Sequence, residues 1–238
     1  FKNSVVILQK PDLLIKIFFE SAKRKIPLSI AARRIVSEFL HLIDDEFIKN
    51  RNTVKIFKKI IALSSQKFNV LDIMLITGIL GKLIPEFTAI INKIQYNHYH
   101  LFPVDRHSIL CVQILNDFKK PADSKISAFY SSVFKEIKDK KLLLFTGLLH
   151  DIGKSSPEKE HLKSGAKIAK TILERFGFSP PEIRDAAFLI ENHLIFIQTA
   201  TRRDISDEET AIYMAKKVVK PRLLRMLFLL TVADSQAT

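Results

Sequence analysis

Apolar residues recur at spacings of three and four along most of the chain, with polar residues between them. This period is typical of amphipathic α-helices rather than of strands. Only six glycines in 238 residues leave few of the turn signals that a sheet-rich fold requires. The pattern therefore predicts an all-α fold, in which helices form a bundle and no sheet is present.

The N-terminal part of the chain shows four short helical patterns followed by a longer one. The short patterns cover residues 11–24, 29–42, 44–50 and 53–64. Ser29 is the predicted N-cap of the second. Residues 69–94 keep helical spacing, but Gly78 and Gly81 interrupt it, which indicates a pair of helices that meet at a corner.

The two parts of the chain differ in the polar residues on their apolar faces. The first hundred residues carry no histidine or carboxylate there, whereas the rest carries several. We therefore interpret residues 1–95 as an additional N-terminal helical scaffold and residues 96–238 as the functional domain. His98 and His100, in the connector before Pro103, either line a cleft or lie at the surface.

Capping residues mark two helix starts after this connector. Asp105 is predicted to cap a helix over residues 105–119, and Ser124 a helix over residues 125–139. On the first of these helices, His107 lies on the apolar stripe. That histidine is therefore expected to point inward.

Loop and capping signals recur near the C-terminal end. Thr199 to Asp204 has the composition of a polar loop that carries two arginines. Ser206 with Glu209 has the spacing of a capping box for a helix over residues 207–219. Pro221 is predicted to open the final helix.

The stretch from Leu148 to Lys154, LLHDIGK, carries the strongest chemical signal. His150 and Asp151 end an apolar run, where an unpaired charge would be costly and a bound metal ion would remove that cost. A chance His-Asp pair on a buried helix is an equally good account of these two residues alone. Lys154, just after Gly153, is either a point charge for phosphate or a solvated lysine.

Several further polar residues fall on otherwise apolar helix faces and join this pair. The full set is His107, His150, Asp151, His161, His193 and Asp234. Imidazole with carboxylate suits manganese, iron, cobalt, nickel or zinc, whereas magnesium prefers more oxygen and is a weaker alternative. Because no thiolate accompanies the set, a structural zinc site is disfavoured. The set predicts a catalytic divalent metal centre.

The pattern leaves the number of metals open. A mononuclear centre would use His107, His150, Asp151 and Asp234. His161 and His193 would allow a second ion, bridged by Asp151, and two ions would clamp the attacking and leaving oxygens of a displacement. Alternatively, these two histidines donate protons or hydrogen bonds to phosphate.

The formal net charge of +13 favours polyanionic or phosphorylated partners. Nucleic acid is an unlikely partner, because the chain has no tryptophan and no aromatic residues within a basic run. Arg202 and Arg203 could bind a substrate phosphate or an acidic protein, or could be plain surface arginines.

The compartment follows from cysteine usage and hydropathy. A single cysteine, Cys111, fits a reducing environment. No apolar run approaches the roughly 18 residues that a membrane span requires. We expect a soluble cytoplasmic protein, and the missing initiator methionine suggests a piece of a longer chain.

The order His, His-Asp, Asp on an all-helical chain resembles the HD superfamily of metal-dependent phosphohydrolases. Closer still is the similarity to the HD region of the bifunctional PII uridylyltransferase/uridylyl-removing enzymes, over about residues 70–238. Beside the LLHDIGK stretch, it is carried by residues 78–87, 104–107, 199–207 and 230–238. The resemblance implies an HD-domain helical bundle.

The resemblance also implies a reaction, the hydrolysis of the phosphodiester that links UMP to a tyrosine of the PII signalling protein. It implies that His107, His150, Asp151 and Asp234 hold the metal, with His161 and His193 in second-site positions. Among the possible ions we expect manganese first. A phosphohydrolase for a free or signalling nucleotide is the alternative within enzymes. A non-catalytic metal-binding regulatory module is the alternative outside them.

Two positions depart from the family pattern. Asn192-His193 stands where two adjacent histidines are common, and Arg106 stands where an acidic residue is frequent. The family's nucleotidyltransferase and ACT domains are not visible in these 238 residues. This chain is therefore not expected to transfer uridylyl groups.

Overall fold

The computed structural model describes residues 5–94, 102–121, 124–156 and 160–238, except the side chain of Val5. Within these ranges the backbone forms helices, short 3-10 turns and one isolated bridge between Ser65 and Phe68, and no strand. The all-α prediction is confirmed. His98 and His100 lie outside the described ranges, as does the predicted boundary between residues 95 and 96.

The helices of the N-terminal part are short. They are α1 (Val5–Gln9), α2 (Leu13–Arg24), α3 (Ile30–Glu38), α4 (Asp45–Lys49), α5 (Arg51–Leu63), α6 (Val70–Ile76) and α7 (Ile79–Leu83), with 3-10 turns at Leu40–Leu42 and Pro85–Ile90. Ser29 caps α3 as predicted, because its side chain accepts a hydrogen bond from the Ala32 amide. The corner between α6 and α7 lies at Gly78, whose φ of 81° is left-handed and favours glycine.

The polar residues singled out above lie on the helices of the second part or directly after them. These helices are α8 (Val104–Asp117), α9 (Lys125–Glu136), α10 (Lys140–Leu149), α11 (His161–Arg175), α12 (Pro180–Glu191), α13 (Ile195–Arg202), α14 (Glu208–Lys217) and α15 (Pro221–Gln236), with a 3-10 turn at Ile152–Ser155. Ser124 and Pro221 begin helices as predicted.

Two of the predicted caps are wrong. The residue before α8 is Pro103, whereas Asp105 is buried in the first turn and accepts hydrogen bonds from the amides of Asn92 and Arg106. Its carboxylate therefore ties α8 to the preceding segment. Asp207, not Ser206, caps α14, because its carboxylate accepts the Glu209 amide.

The prediction of a loop from Thr199 to Asp204 is also wrong for most of these residues. Residues up to Arg202 belong to α13. Ile195 and Thr199, one helical turn apart, are both buried, so this helix has an inward face that the polar composition of the segment hides.

One continuous apolar core joins the two parts of the chain. In its centre, the ring of Phe57 from α5 lies 5.9 Å from that of Phe145 on α10 and 5.3 Å from that of Phe176 after α11. The helix α8 packs against both α10 and α15. Within the described ranges, no helix is both long and apolar enough to cross a membrane.

A glycine sets the distance between α8 and α10. A Cβ on Gly147 would lie 2.6 Å from Leu115 Cδ1 and 3.5 Å from Cys111 Sγ, so glycine lets the two helices approach this closely without a shift of the Leu115 side chain. Because His107 is on α8 and His150 directly follows α10, this contact helps to determine how far apart the two imidazoles lie.

Candidate metal centre

The polar residues that meet in the core come from the ends of four helices. His107 lies in the first turn of α8, and Asp234 lies in the last turn of α15. His150 and Asp151 directly follow α10. His193 follows the end of α12 rather than lying on that helix as predicted. The ends of these helices thus bring all five side chains into one buried region.

Four ligand-type atoms converge at this point. His107 Nε2 lies 2.9 Å from Asp234 Oδ1, 3.2 Å from His150 Nε2 and 3.6 Å from Asp151 Oδ2. His150 Nε2 lies 3.4 Å from both carboxylate oxygens. At most 9 % of any of these four residues is exposed. The structure therefore brings these four residues together in one buried place.

The tautomers of the buried histidines follow from their backbone partners. Nδ1 bonds a carbonyl oxygen in each: His107 with Ala237 at 3.2 Å, His150 with Gly147 at 2.8 Å, and His193 with Ile190 at 2.7 Å. A carbonyl only accepts, so each Nδ1 carries a proton and donates it. The neutral form of each ring therefore directs an Nε2 lone pair toward the centre, the arrangement that metal-binding histidines adopt.

This donor set fits a divalent transition metal. Two neutral Nε2 atoms at 3.2 Å, close to two carboxylates, would present only lone pairs to one another unless a cation lay between them. Ligands about 2.1 Å from a common ion lie roughly 2.9 to 3.4 Å apart in octahedral or tetrahedral geometry, close to the separations seen here. Asp151 Oδ1 is buried and has no hydrogen-bond partner within the described parts of the chain.

Without a metal, a proton takes the place of the cation. Burial opposes charge on His150, but the Asp151 and Asp234 carboxylates outweigh burial and raise the pKa of this histidine to about 9. Burial likewise opposes charge on Asp151, yet His150 and Lys154 lower the pKa of that carboxyl to about 2. The pKa of Asp234 is lowered further, because its interactions with the His107 and His150 rings outweigh its burial. A cation is therefore held electrostatically at this position.

His193 approaches Asp151 from the other side. Its Nε2 lies 3.8 Å from Asp151 Oδ1, and its ring stands edge-on to that of His150 at 5.1 Å. Burial and the charge of His150 lower the pKa of His193 to about 4, so its imidazole is neutral near pH 7. Ligand atoms of His150, His193 and Asp234 also lie within 4.8 Å of one another. Asp151 thus directs one oxygen to each side, as a bridging carboxylate would.

Lys154 also contacts Asp151. The Nζ of Lys154 lies 2.7 Å from Asp151 Oδ2, and only 11 % of the lysine side chain is exposed. An ammonium in this place keeps a positive charge at the edge of the centre.

Three of the predicted site residues lie outside this cluster. His161 is half-buried at the start of α11 and belongs to neither group of ligand-type atoms. Arg202 and Arg203 are exposed at the end of α13, and the Arg203 guanidinium lies 4.3 Å from the centre of the Tyr213 ring. These arginines are available to a molecule at the surface.

Sequence reasoning missed the contact that seats the turn after Asp151. A Cβ on Gly153 would lie 1.9 Å from the His161 carbonyl oxygen and 2.5 Å from the Gly165 amide nitrogen. The 3-10 turn therefore packs backbone against backbone on α11, and this contact positions Asp151 and Lys154. The available signal was the pair of glycines, since the chain contains only six.

Comparison with known proteins gives consistent results. The family model described as HD domain matches residues 104–224. The chain is similar to curated proteins named bifunctional uridylyltransferase/uridylyl-removing enzyme. It is 31% identical to that of Caulobacter vibrioides (strain NA1000 / CB15N) over 227 residues, 95% of the chain and 24% of the relative. For Zymomonas mobilis the identity is 33% over 227 residues with the same coverage, and for Rhodopseudomonas palustris 35% over 241 residues, 98% of the chain and 26% of the relative. The chain thus spans about a quarter of the length of these relatives.

Proposed function

Because the chain belongs to the HD-domain family, we propose that its buried histidine-aspartate cluster is the active centre of a metal-dependent phosphohydrolase that removes UMP from uridylylated PII protein. One observation carries this proposal: the Nε2 atoms of His107 and His150 lie 3.2 Å apart, and each lies within 3.6 Å of a carboxylate oxygen of both Asp151 and Asp234. Such a donor set has a clear use in phosphoester chemistry, which requires electrophilic assistance at the phosphorus and a nucleophilic water.

In this proposal His107, His150, Asp151 and Asp234 hold a divalent metal, manganese or another transition metal, with magnesium as an alternative. When bound, the metal supplies Lewis acidity toward a phosphoryl oxygen and lowers the pKa of a water toward about 7. A second, weaker ion would use His193 together with Asp151, with His161 as a further candidate ligand.

The other residues of the centre handle protons and charge. His193 is neutral at pH 7 and keeps the lone pair of Nε2 toward Asp151, so it can accept a proton or a hydrogen bond from water. Lys154 is held by Asp151 and would meet a phosphate oxygen as a point charge. The surrounding apolar helices exclude bulk water, which strengthens both interactions.

Uridylyl removal is proposed from the names of the relatives and from the charge of the chain, and the linkage to a PII tyrosine from the family resemblance of the sequence. All three relatives are named as uridylyl-removing enzymes. Arg202 and Arg203 are exposed and suit contacts with a phosphate or with an acidic face of PII. The relatives carry two activities in about four times the length, so the proposal concerns uridylyl removal only.

Turnover by the metal-loaded protein tests this function. The protein is loaded with manganese and given uridylylated PII, and UMP release is measured beside hydrolysis of free nucleotides. We expect UMP release by the wild type and by His41→Ala, which changes an exposed histidine, and none by His150→Ala. Activity on free nucleotides alone would overturn the proposed substrate, and no activity with metal bound would favour a regulatory module.

A further inference from the structure

A basic pocket of about 290 Å³ lies between α5 and the start of α10. It is lined by Arg51, Val54, Lys55, Lys58, Lys59 and Lys141. Five of these six side chains are cationic and none is acidic. The pocket is separate from the metal centre, because Lys141 lies in the first turn of α10 and His150 follows its last residue, about 13 Å away along the helix axis.

Helical periodicity builds one wall of this basic pocket. Arg51 and the three lysines of α5 fall at offsets of four, seven and eight residues, which places them on one face of the helix. Lys141 contributes from the neighbouring helix α10. The same face carries Val54 as the only apolar lining residue. Like charges on one helix face repel one another, so this arrangement costs stability unless a counter-charge is bound.

Carboxylates in the vicinity are engaged elsewhere. In the parts of the chain that the structure describes, Arg51, Lys55, Lys59 and Lys141 form no ion pair with an acidic side chain. Glu182 accepts hydrogen bonds from the amide and the hydroxyl of Ser179. The carboxylate of Asp139, next to Lys140, is paired with Arg222. The positive charge of the pocket is therefore compensated only in part within the described ranges, by the Glu182 carboxylate near Lys58.

Lys58 is the half-buried cation among the lining residues of the pocket. Its Nζ lies 3.9 Å from the centre of the Phe178 ring, which holds the ammonium in place. Burial lowers the pKa of Lys58, the Glu182 carboxylate raises it in part, and the charge of Lys141 lowers it further. A bound anion would relieve both the burial of this charge and its repulsion by Lys141.

We propose that the basic pocket binds a multiply charged phosphate anion, either an inorganic polyphosphate or the phosphate chain of a nucleotide. Lysine ammonium groups meet phosphate oxygens as point charges, and Arg51 can contact two oxygens at once. The pocket has room for a short phosphate chain, whereas an acidic protein segment would need a longer groove. The inference does not depend on the proposed function of the metal centre.

Binding measured by calorimetry on the metal-free 238-residue chain tests this inference, with tripolyphosphate and ATP as probes and adenosine as the uncharged control. The pocket variant is Arg51→Gln/Lys55→Gln/Lys141→Gln, all exposed positions. The matched control is Lys23→Gln/Lys125→Gln/Lys216→Gln, which removes the same charge from exposed positions on α2, α9 and α14. Any binding of the phosphate probes at the metal centre would be the same in the wild type, the pocket variant and the control variant. It therefore cannot account for a difference between them.

We expect the pocket variant to bind tripolyphosphate at least about tenfold more weakly than the wild type, and the control variant to stay within about twofold. Equal affinity for ATP and tripolyphosphate would identify the phosphate chain as the ligand, and tighter ATP binding would add the nucleoside. Equal weakening in both variants, adenosine binding as strong as ATP binding, or tighter binding of hexaglutamate than of tripolyphosphate would each overturn the inference.

Discussion

Asp151 is the residue on which the metal centre depends most. One of its oxygens faces His107 and His150, the other faces His193, and Lys154 contacts the first. The position at the end of α10 makes this possible, because the chain turns there and the carboxylate points back into the bundle. A charged group so fully buried is stable only with cationic partners.

Replacing Asp151 by asparagine should remove metal binding while keeping the side-chain volume. The loss of a negative ligand should weaken metal affinity on the order of 100-fold or more, beyond the effect of an outer-shell substitution. Elemental analysis after dialysis measures the bound metal, with Asp45→Asn, an exposed aspartate, as the matched control. Normal metal content in Asp151→Asn would show that this carboxylate is not a ligand.

The pKa of His150 predicts that metal binding depends on pH. Because this pKa is about 9 in the metal-free protein, an entering metal must displace a proton at lower pH. Apparent affinity should rise about tenfold per pH unit between pH 5 and 9 and then level off, since His193 with its pKa of about 4 stays neutral in this range. The same raised pKa stabilises the metal-free fold below pH 6.5, and this contribution is lost as pH rises through about 9.

Calorimetry in buffers of different ionisation enthalpy measures this proton directly. At pH 7 we expect release of about one proton for each metal bound. Binding without proton release, or an affinity that does not change between pH 6 and 8, would mean that His150 is neutral before the metal arrives.

At the scale of single residues, the sequence predicted which side chains come together. It predicted less well which hydrogen bonds hold them in place. Inward positions on apolar stripes identified His107 and Asp234, and the His-Asp pair was conspicuous at the end of its apolar run. The carbonyl partners of His150 and His193 lie three residues earlier, so a local rule for histidines after helix ends could have found them. The partner of His107 is Ala237, which is 130 residues away and depends on the packing of α15 against α8.

Among the elements, the 3-10 turn at Ile152–Ser155 is the one most sensitive to substitution. Its seat on α11 requires glycine at position 153, as the 1.9 Å approach to the His161 carbonyl oxygen indicates. Alanine at this position adds one carbon atom, which would push the two backbones apart. Asp151 and Lys154 would then move with the turn.

Gly153→Ala should therefore destabilise the fold and displace the metal site together. We expect the free energy of unfolding by urea to fall by about 3 kcal/mol or more. The molecules that remain folded should bind metal more weakly. The matched control is Gly177→Ala, where φ is 65° but a Cβ would meet nothing within 4 Å. That variant should lose roughly 1–2 kcal/mol from its backbone alone and keep its metal affinity. Unchanged metal affinity in Gly153→Ala would show that the seat on α11 does not position the site.

Element predictions failed where composition and packing disagreed. The segment Thr199–Arg202 is polar enough to resemble a loop, yet it continues α13 because Ile195 and Thr199 pack inward. Near α14, Ser206 and Asp207 were both suitable caps, and the chain uses the second. Neighbouring capping residues differ little in preference, so tertiary packing decides between them.

At the scale of the whole molecule, one core runs through both parts of the chain. Long-range ion pairs reinforce it: Arg175 binds Glu86 with two hydrogen bonds, and Arg222 joins Asp139 to Asp185. Periodicity could predict the helices that these pairs connect, but not which of them would be neighbours. That information came only from the resemblance to a known family and from the packing itself.

The exposed surface that a substrate would meet is also a property of the whole molecule. Arg202 and Arg203 are exposed and lie outside the cluster of metal-ligand atoms, so replacing both with alanine should raise KM roughly tenfold and leave bound metal unchanged. Lys23→Ala with Lys67→Ala removes the same charge from two other exposed positions and should leave KM unaltered. Loss of metal in the arginine variant, or an equal change in the control, would contradict a substrate-contacting role.

Anomalous X-ray scattering from crystals of the manganese-loaded protein tests the central claim most directly. The account predicts a strong peak coordinated by the Nε2 atoms of His107 and His150 and by oxygens of Asp151 and Asp234, with any weaker second peak on the His193 side of Asp151. Scattering only at other positions, or an empty centre in a protein that retains manganese, would contradict it.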